Sequence, residues 1–189
     1  MRLNTKKLIF LGAWTICAEG RAYRQNAIDQ LQPLVETSAQ RLVIAEQVAF
    51  AKWDSGTPVE DVFREAQVIA SAVKAGESRG LNQAEVSNFF RSQIEANKLV
   101  QYSLLAEWRR VGKALDHAPV DLASTIRPEL DQLGTELIAE LTETAALRAS
   151  ASCRSDVAKA VGKYVSAHEN KFNPLRIIAL DRAMAATCT

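Results

Sequence analysis

Hydrophobic positions recur along the chain with a period of about 3.6 residues, and no stretch alternates apolar and polar residues between hairpin turns. In segment 34–53 the apolar positions share one helical face, formed by Leu34, Val35, Ala39, Leu42, Ala45 and Ala49. The pattern predicts an all-α protein of about six helices. A length of 189 residues is typical of one domain with one substantial core.

Turn and cap residues predict where the first two helices begin and end. The first helix is expected over 34–53, with Pro33 in its first turn and Gly56 just beyond its end. Thr57-Pro58-Val59-Glu60 combines an N-cap residue, a proline at the first helical position and a glutamate at the third. This signature predicts that the second helix begins there and reaches about Gly76.

Similar signals divide the rest of the chain. Asn82, with Glu85 three residues later, predicts the start of a third helix that runs to about Arg110. Segment 111–121 is expected to be the longest loop. Three further helices are predicted: residues 122–148 with Pro128 in the first turns, a helix capped by Ser152 or Ser155 that runs to about Ala167, and one from Asn173-Pro174 to near Cys188.

The N-terminal segment has the composition of a secretory signal peptide. An apolar run over 8–18, too short to span a bilayer comfortably, follows three basic residues: Arg2, Lys6 and Lys7. We expect residues 1–22 to be a signal peptide, with cleavage after Ala18 or Ala22, and residues 23–189 to be the helical domain. The alternative is a buried N-terminal helix, although the run lacks the polar face that such a helix would carry.

The cysteines agree with an exported protein. Cys17 would leave with the signal peptide, so the mature chain would keep Cys153 and Cys188, which we expect to form a disulfide bond. Closing that loop would contribute roughly 3 to 4 kcal/mol on the chain-entropy argument. The alternative is two buried thiols. The histidines, His117 and His168, show no metal-ligand spacing with the cysteines, so no metal site is expected.

Charge excludes several classes of partner. Lys and Arg number 23 and Asp and Glu 22, so the formal net charge is +1 and no positive field would attract nucleic acid. Heptads are not sustained, and no helix has a lysine-rich polar face. A coiled coil and a helix lying on a membrane therefore fit poorly.

Several polar residues fall at spacings that place them on common helical faces. Arg41 and Lys52 are eleven residues apart, which is three helical turns, so their side chains leave the same face. The second helix adds Asp61, Arg64 and Glu65, and the third adds Asn97 and Gln101, which are four residues apart. Taken singly, each has a simpler explanation: a solvated charge, a carboxylate complementing a helix dipole, or an ordinary polar surface.

Together these residues resemble the helical chorismate mutases. That family has an arginine, a lysine eleven residues later, an Asp-x-x-Arg at the start of the next helix, and two polar residues four apart on the third. Arg41, Lys52, the segment from Asp61 to Arg64, and the pair Asn97 and Gln101 match this pattern. The segment 101–108, which ends in tryptophan, the export signal and the distal cysteine pair resemble the secreted subclass. The resemblance covers residues 34–188.

The resemblance implies an isomerase that converts chorismate to prephenate, a step in phenylalanine and tyrosine biosynthesis, without a cofactor or metal. In the secreted subclass an arginine near the start of the fourth helix completes the pocket, and Arg127 matches it, although it could instead be a surface arginine. Bidentate arginines suit the two carboxylates of chorismate, so Arg41, Arg64 and Arg127 are expected to bind them. The family's donors to the ether oxygen correspond to Lys52 and Gln101.

The remaining roles also follow from the resemblance. Asn97 would contact a carboxylate or a neighbouring polar group, and Asp61 or Glu65 the substrate hydroxyl. Asn97 departs from the Ser or Thr of many relatives, and Gln101 from the Glu of some. A homodimer with each pocket inside one protomer, located in the periplasm or secreted, is implied. The alternative function is an exported helical binding protein without catalysis, against which the presence of both Lys52 and Gln101 argues.

Overall fold

The computed structural model describes residues 12–171 and 173–189, which form seven α-helices and no β-strand. The helices are α1 Gly12–Ser55, α2 Val62–Glu77, α3 Gln83–Val111, α4 Arg127–Glu143, α5 Ala145–Arg148, α6 Cys153–Ala167 and α7 Pro174–Met184. A π-helical turn, Leu122–Ile126, leads into α4, and a 3-10 turn, Glu169–Lys171, precedes α7. The predicted all-α fold is confirmed.

Helix α1 is the centre of the fold and packs against α3, α4, α6 and α7. Its predicted apolar stripe is buried throughout: Leu34, Val35, Ala39, Leu42, Ala45 and Ala49. The stripe meets a core that includes Phe89 and Phe90 from α3 and Leu137 from α4. Each large apolar side chain buried there stabilises the fold by roughly 1.5 to 3 kcal/mol, so this packing fixes the polar face of α1 as well.

The first helix begins well before the predicted position. Pro33 was expected in its first turn but lies inside α1, on an exposed face. The preceding turn is held by tertiary contacts: Ile28 and Leu31 are buried in the core, and the Gln32 side chain donates to the Ala160 carbonyl at 3.0 Å. These contacts outweigh the backbone hydrogen bond that proline removes.

The start of α2 was also predicted wrongly. Residues 57–61 are not helical, and Val59 is instead buried among aromatic side chains. The N-cap is Asp61, whose Oδ1 accepts from the Arg64 backbone N–H at 3.1 Å, while the Asp61 N–H donates to Glu65 Oε1 at 3.3 Å. The reciprocal capping expected at Thr57 therefore occurs four residues later.

Helix α3 begins as predicted. The Asn82 side chain accepts from the backbone N–H of Ala84 at 2.8 Å and of Glu85 at 3.4 Å. The helix ends at Gly112, which is left-handed with φ of 84°. At Gly76, near the end of α2, a Cβ would lie 2.7 Å from the Val86 side chain, so the missing side chain allows α2 to approach α3 closely.

The fourth predicted helix, 122–148, is divided. It begins as the π-helical turn, continues as α4 and is interrupted at Thr144 before α5. This division is the main reason for seven α-helices where about six were expected. Pro128 occupies the first turn of α4 as predicted, directly after the π-helical turn.

The predicted disulfide bond is confirmed. Cys153, the first residue of α6, is bonded to Cys188, beyond α7, with a Cα–Cα distance of 5.9 Å. Helix α6 follows Ser152, but the Ser152 side chain makes no capping hydrogen bond and Ser155 lies inside the helix, so the predicted serine cap is not formed. Helix α7 is capped by Asn173, whose side chain accepts from the Arg176 N–H at 2.9 Å. The bond therefore links the beginning of α6 to the end of the α7 segment, which packs on α3.

Half of the predicted signal peptide, residues 1–11, lies outside the described residues, while 12–22 belong to α1. The cleavage site after Ala18 or Ala22 stays a prediction. Across the part of the chain that the structure describes, no helix combines the length and apolar character needed to cross a membrane.

Candidate active site

A cavity of about 550 Å³ opens between α1, α2, α3 and the start of α4. Each of these elements contributes polar side chains to its wall. All eight residues predicted from the sequence line it: Arg41 and Lys52 on α1, Asp61, Arg64 and Glu65 at the start of α2, Asn97 and Gln101 on α3, and Arg127 on α4. The predicted residues, which lie on different helices, are thus brought together around one cavity.

Arg41 is a buried cation, with 5% of its surface exposed. Its Nη1 donates to the Leu130 carbonyl at 2.9 Å, and its Nε finds no hydrogen-bond partner among the described residues. Burial lowers the pKa of Arg41 to about 10, against the opposing charge of Asp131. The guanidinium therefore stays charged at neutral pH, and its unpartnered N–H suits an anionic ligand in the cavity.

Lys52 is half-buried, and its ammonium donates one hydrogen bond to the Val59 carbonyl. Burial lowers the pKa of Lys52, while the negative charges of Asp61, Glu65 and Glu60 act in the opposite direction. No carboxylate pairs with it in the described part of the chain. Because an ammonium carries three donors, two N–H groups are free for a ligand.

Asn97 and Gln101 form a buried amide chain with the backbone of α1. Asn97 Nδ2 donates to the Arg41 carbonyl at 3.0 Å, and Gln101 Nε2 donates to Asn97 Oδ1 at 2.6 Å. An amide nitrogen has two N–H groups, so one remains on Gln101 for the cavity. Asn97 therefore orients Gln101, and one of its own two N–H groups is committed to the Arg41 carbonyl.

The two other arginines are paired with carboxylates near the surface. Arg64 Nη2 lies 2.7 Å from Asp131 Oδ1, and Arg127 Nη2 lies 3.8 Å from Asp61 Oδ2. Such partly exposed pairs are weak, so a ligand carboxylate can compete with either partner. Asp61 also caps α2, which leaves it little freedom to move.

Sequence reasoning missed Lys98 and Asp131. The Lys98 side chain is only 11% exposed and lies 2.8 Å from Glu60, 2.9 Å from Glu95 and 3.4 Å from Glu65. Burial alone would lower the pKa of Lys98, but these hydrogen bonds and charges raise it above its ordinary value. The spacing of Glu95 and Lys98 was readable as an i,i+3 pair, but the non-local contacts were not.

Comparison with known proteins places the chain in a family. The family described as "Chorismate mutase type II" matches residues 25–102, which hold all the predicted site residues except Arg127. The secreted chorismate mutase of Mycolicibacterium smegmatis is 31% identical over 158 residues, or 84% of this chain and 86% of that protein. This chain belongs to the type II chorismate mutase family.

Solved structures of chorismate mutases agree with this membership. The enzyme from Burkholderia phymatum superposes with a TM-score of 0.81 at 44% identity, covering 86% of this chain and 98% of that one. The enzyme from Burkholderia thailandensis gives a TM-score of 0.79 at 33% identity, covering 84% and 99%. The similarity to these solved structures thus extends well beyond the residues of the family match.

Proposed function

We propose that this protein is an exported chorismate mutase, which rearranges chorismate to prephenate. The observation that carries the proposal is the arrangement around Lys52 and Gln101. Both have N–H donors left over after their protein contacts, and both line a cavity that also holds three arginines. A dicarboxylate binding protein would need the arginines but not the two additional donors.

The arginines select the reactive shape of the substrate. Chorismate carries two carboxylates, and the compact conformer that rearranges must be held against its more extended forms. In the proposed assignment, buried Arg41 contacts one carboxylate, and Arg64 and Arg127 exchange their protein partners for substrate. Fixing both ends before bond breaking removes conformational freedom that would otherwise add to the barrier.

Lys52 and Gln101 stabilise the charge that forms during the reaction. The rearrangement is pericyclic and transfers no proton, but negative charge develops on the ether oxygen as the carbon–oxygen bond breaks. Donors already fixed by Val59 and Asn97 need not reorganise when that charge appears, so they bind the transition state better than the substrate. Asp61 or Glu65 is proposed to contact the substrate hydroxyl.

The direct test is the loss of chorismate absorbance with protein that begins at residue 23, without added metal. We expect turnover by the wild type, and a loss of about 100- to 1000-fold in kcat/KM for Lys52→Ala, because a donor to the developing oxyanion is removed. Lys74→Ala, which removes an exposed lysine of α2, is the matched control and should keep wild-type activity.

Two results would contradict the proposal. A folded, disulfide-bonded wild type that binds chorismate without converting it would favour the exported binding protein. Equal activity of the Lys52→Ala and Lys74→Ala variants would show that Lys52 is not the donor, even if chorismate is the substrate.

Export and assembly belong to the same proposal. The relative from Mycolicibacterium smegmatis is named a secreted enzyme, and the disulfide bond suits an oxidising compartment. Cleavage after Ala18 or Ala22 would leave Ile28 and Leu31 in the core, whereas a site beyond them would remove buried residues. The mature protein is proposed to be a homodimer in the periplasm or outside the cell, with each site inside one protomer.

A further inference from the structure

Lys98 is the centre of a charged cluster on the wall of the cavity. The ammonium contacts Glu60 in the loop before α2, Glu65 in the first turn of α2, and Glu95 one turn earlier on α3. The lysine side chain is the most buried of the four, while Glu60 is half exposed. The Lys98 ammonium thus pairs with three carboxylates beside the site proposed to bind the chorismate dianion.

Two of these carboxylates also act on Lys52. Glu60 and Glu65 line the same cavity as Lys52, and their charges reach its ammonium. Neither forms an ion pair with Lys52 in the described part of the chain, and each is hydrogen-bonded to Lys98. Glu60 also accepts from the Tyr102 hydroxyl at 2.8 Å, and Glu65 from the Asp61 backbone N–H at 3.3 Å. The Val59 carbonyl that holds Lys52 immediately precedes Glu60, so the two lysines bind adjoining residues of one loop.

Without Lys98, Glu60 and Glu65 would lose their cation, and Lys52 is the other lysine beside them in the cavity. An ion pair with either carboxylate would occupy the N–H donors of Lys52 that the Val59 carbonyl leaves available to a ligand. The carboxylate would also lie beside the proposed position of the ether oxygen. Its repulsion would grow as negative charge develops on that oxygen, so the transition state would be destabilised most.

We propose that Lys98 is a positioning residue that keeps the carboxylates of Glu60 and Glu65 away from Lys52, so that the Lys52 ammonium remains available to the substrate. This role rests on the proposed function and deepens it. Lys98 itself need not touch the substrate. Its effect passes through the two carboxylates to Lys52.

The first test is the activity of Lys98→Met and Lys98→Arg. We expect kcat to fall about tenfold or more in Lys98→Met with a smaller change in KM, because the affected donor acts mainly in the transition state. Lys98→Arg keeps a cation and should retain most of the activity. Equal losses in both variants, or wild-type kcat in Lys98→Met, would overturn the proposal.

A double variant separates this role from simple tethering of the loop. Glu60→Gln removes the charge of the carboxylate closest to Lys98, so Lys98→Met/Glu60→Gln should recover at least about threefold of the lost kcat. Tethering predicts no recovery, since the second change does not restore the ion pairs. Glu95→Gln is the matched control: it also loses a Lys98 contact but should leave kcat within about twofold.

A crystal structure of ligand-free Lys98→Met tests the same point without turnover. We expect a carboxylate oxygen of Glu60 or Glu65 within about 4 Å of Lys52 Nζ. Carboxylates that turn to solvent and leave Lys52 unpaired would overturn the proposal. If the wild type does not convert chorismate, the proposed function fails, yet this structure still decides whether Lys98 holds the carboxylates away from Lys52.

Discussion

The amide of Gln101 is held from one side. Its nitrogen donates to Asn97, whereas its oxygen is buried and finds no partner among the described residues. A buried acceptor without a hydrogen-bond partner destabilises the folded protein. The Gln101 oxygen is therefore an unsatisfied polar group of the site before a ligand binds. Asn97 explains why the orientation persists, because its own nitrogen is fixed by the Arg41 carbonyl.

Replacing this amide by a carboxyl group should make the reaction depend on pH. An amide donates at every pH, so wild-type activity should be level across the neutral range, where Arg41 remains charged. In Gln101→Glu only the protonated form can donate, and burial raises the pKa of a carboxyl group, so kcat/KM should increase as the pH falls. The check is kcat/KM for both proteins from about pH 5 to 8.

Gln101→Met is the control for that experiment, because it removes the donor and cannot titrate. It should be slow at every pH, and Gln101→Glu should fall to that level or below it at its alkaline limit, because the ionised carboxylate also repels the charge forming on the ether oxygen. If the wild type and Gln101→Glu give pH profiles of the same shape, then Gln101 does not donate to the reacting oxygen.

Positions on regular helices made it predictable which of these side chains share a helical face. The eleven-residue spacing of Arg41 and Lys52 determines their common face whatever surrounds the helix, and the pair Asn97 and Gln101 follows the same rule. Lys98 stands next to Asn97 but was indistinguishable from a solvated lysine. Its role depends on carboxylates more than thirty residues away in α2 and the preceding loop, and this proximity exists only in the folded chain.

At the scale of elements, caps that depend on neighbouring residues were predicted and those that depend on tertiary packing were not. Asn82 and Asn173 cap their helices through N–H groups two or three residues away, which sequence reveals. Thr57-Pro58 has the same local signature, yet Val59 is drawn into the aromatic cluster around Trp108. Burial of one apolar side chain exceeds the gain from a cap, so α2 begins at the next suitable residue.

Pro33 offers a test of how strongly tertiary packing supports α1. The proline lies within the helix on an exposed face and removes one backbone hydrogen bond, so Pro33→Ala should restore that bond without disturbing the core. The gain is reduced by the greater freedom of the unfolded chain, and we expect the variant to be more stable by about 1 to 2 kcal/mol.

The measurement is denaturant unfolding of the oxidised domain beginning at residue 23. Gln40→Ala, an exposed substitution later on α1, is the control for alanine propensity alone and should change the free energy of unfolding by less than about 0.5 kcal/mol. A destabilised Pro33→Ala variant would show that the surrounding structure is adapted to the proline and that α1 bends to accommodate it.

For the molecule as a whole, the cavity is an assembly of segments distant in sequence. Helix α1 forms the central wall of the cavity, and α2 and α3 form two further walls. The π-helical turn leads into α4 and brings Arg127 to the remaining side. Helix α7 supports this arrangement from behind, where Gln93 on α3 donates to the Ala183 carbonyl at 3.2 Å. The disulfide bond secures that support by joining α6 to the chain beyond α7.

Fold class and disulfide were predictable from pattern and composition, whereas the division of the fourth helix at Thr144 was not.

All eight predicted residues line the cavity within a single chain, which leads to a prediction about assembly. If the protein is a homodimer, each protomer should remain a complete catalyst, so activity per protomer should not change as the dimer dissociates. The measurement is specific activity over a dilution series whose dimer fraction is determined by analytical ultracentrifugation at the same concentrations. Activity that falls in parallel with the dimer fraction would mean that the partner supplies part of the site or holds its helices in place. A constant value would show that one chain holds a complete site.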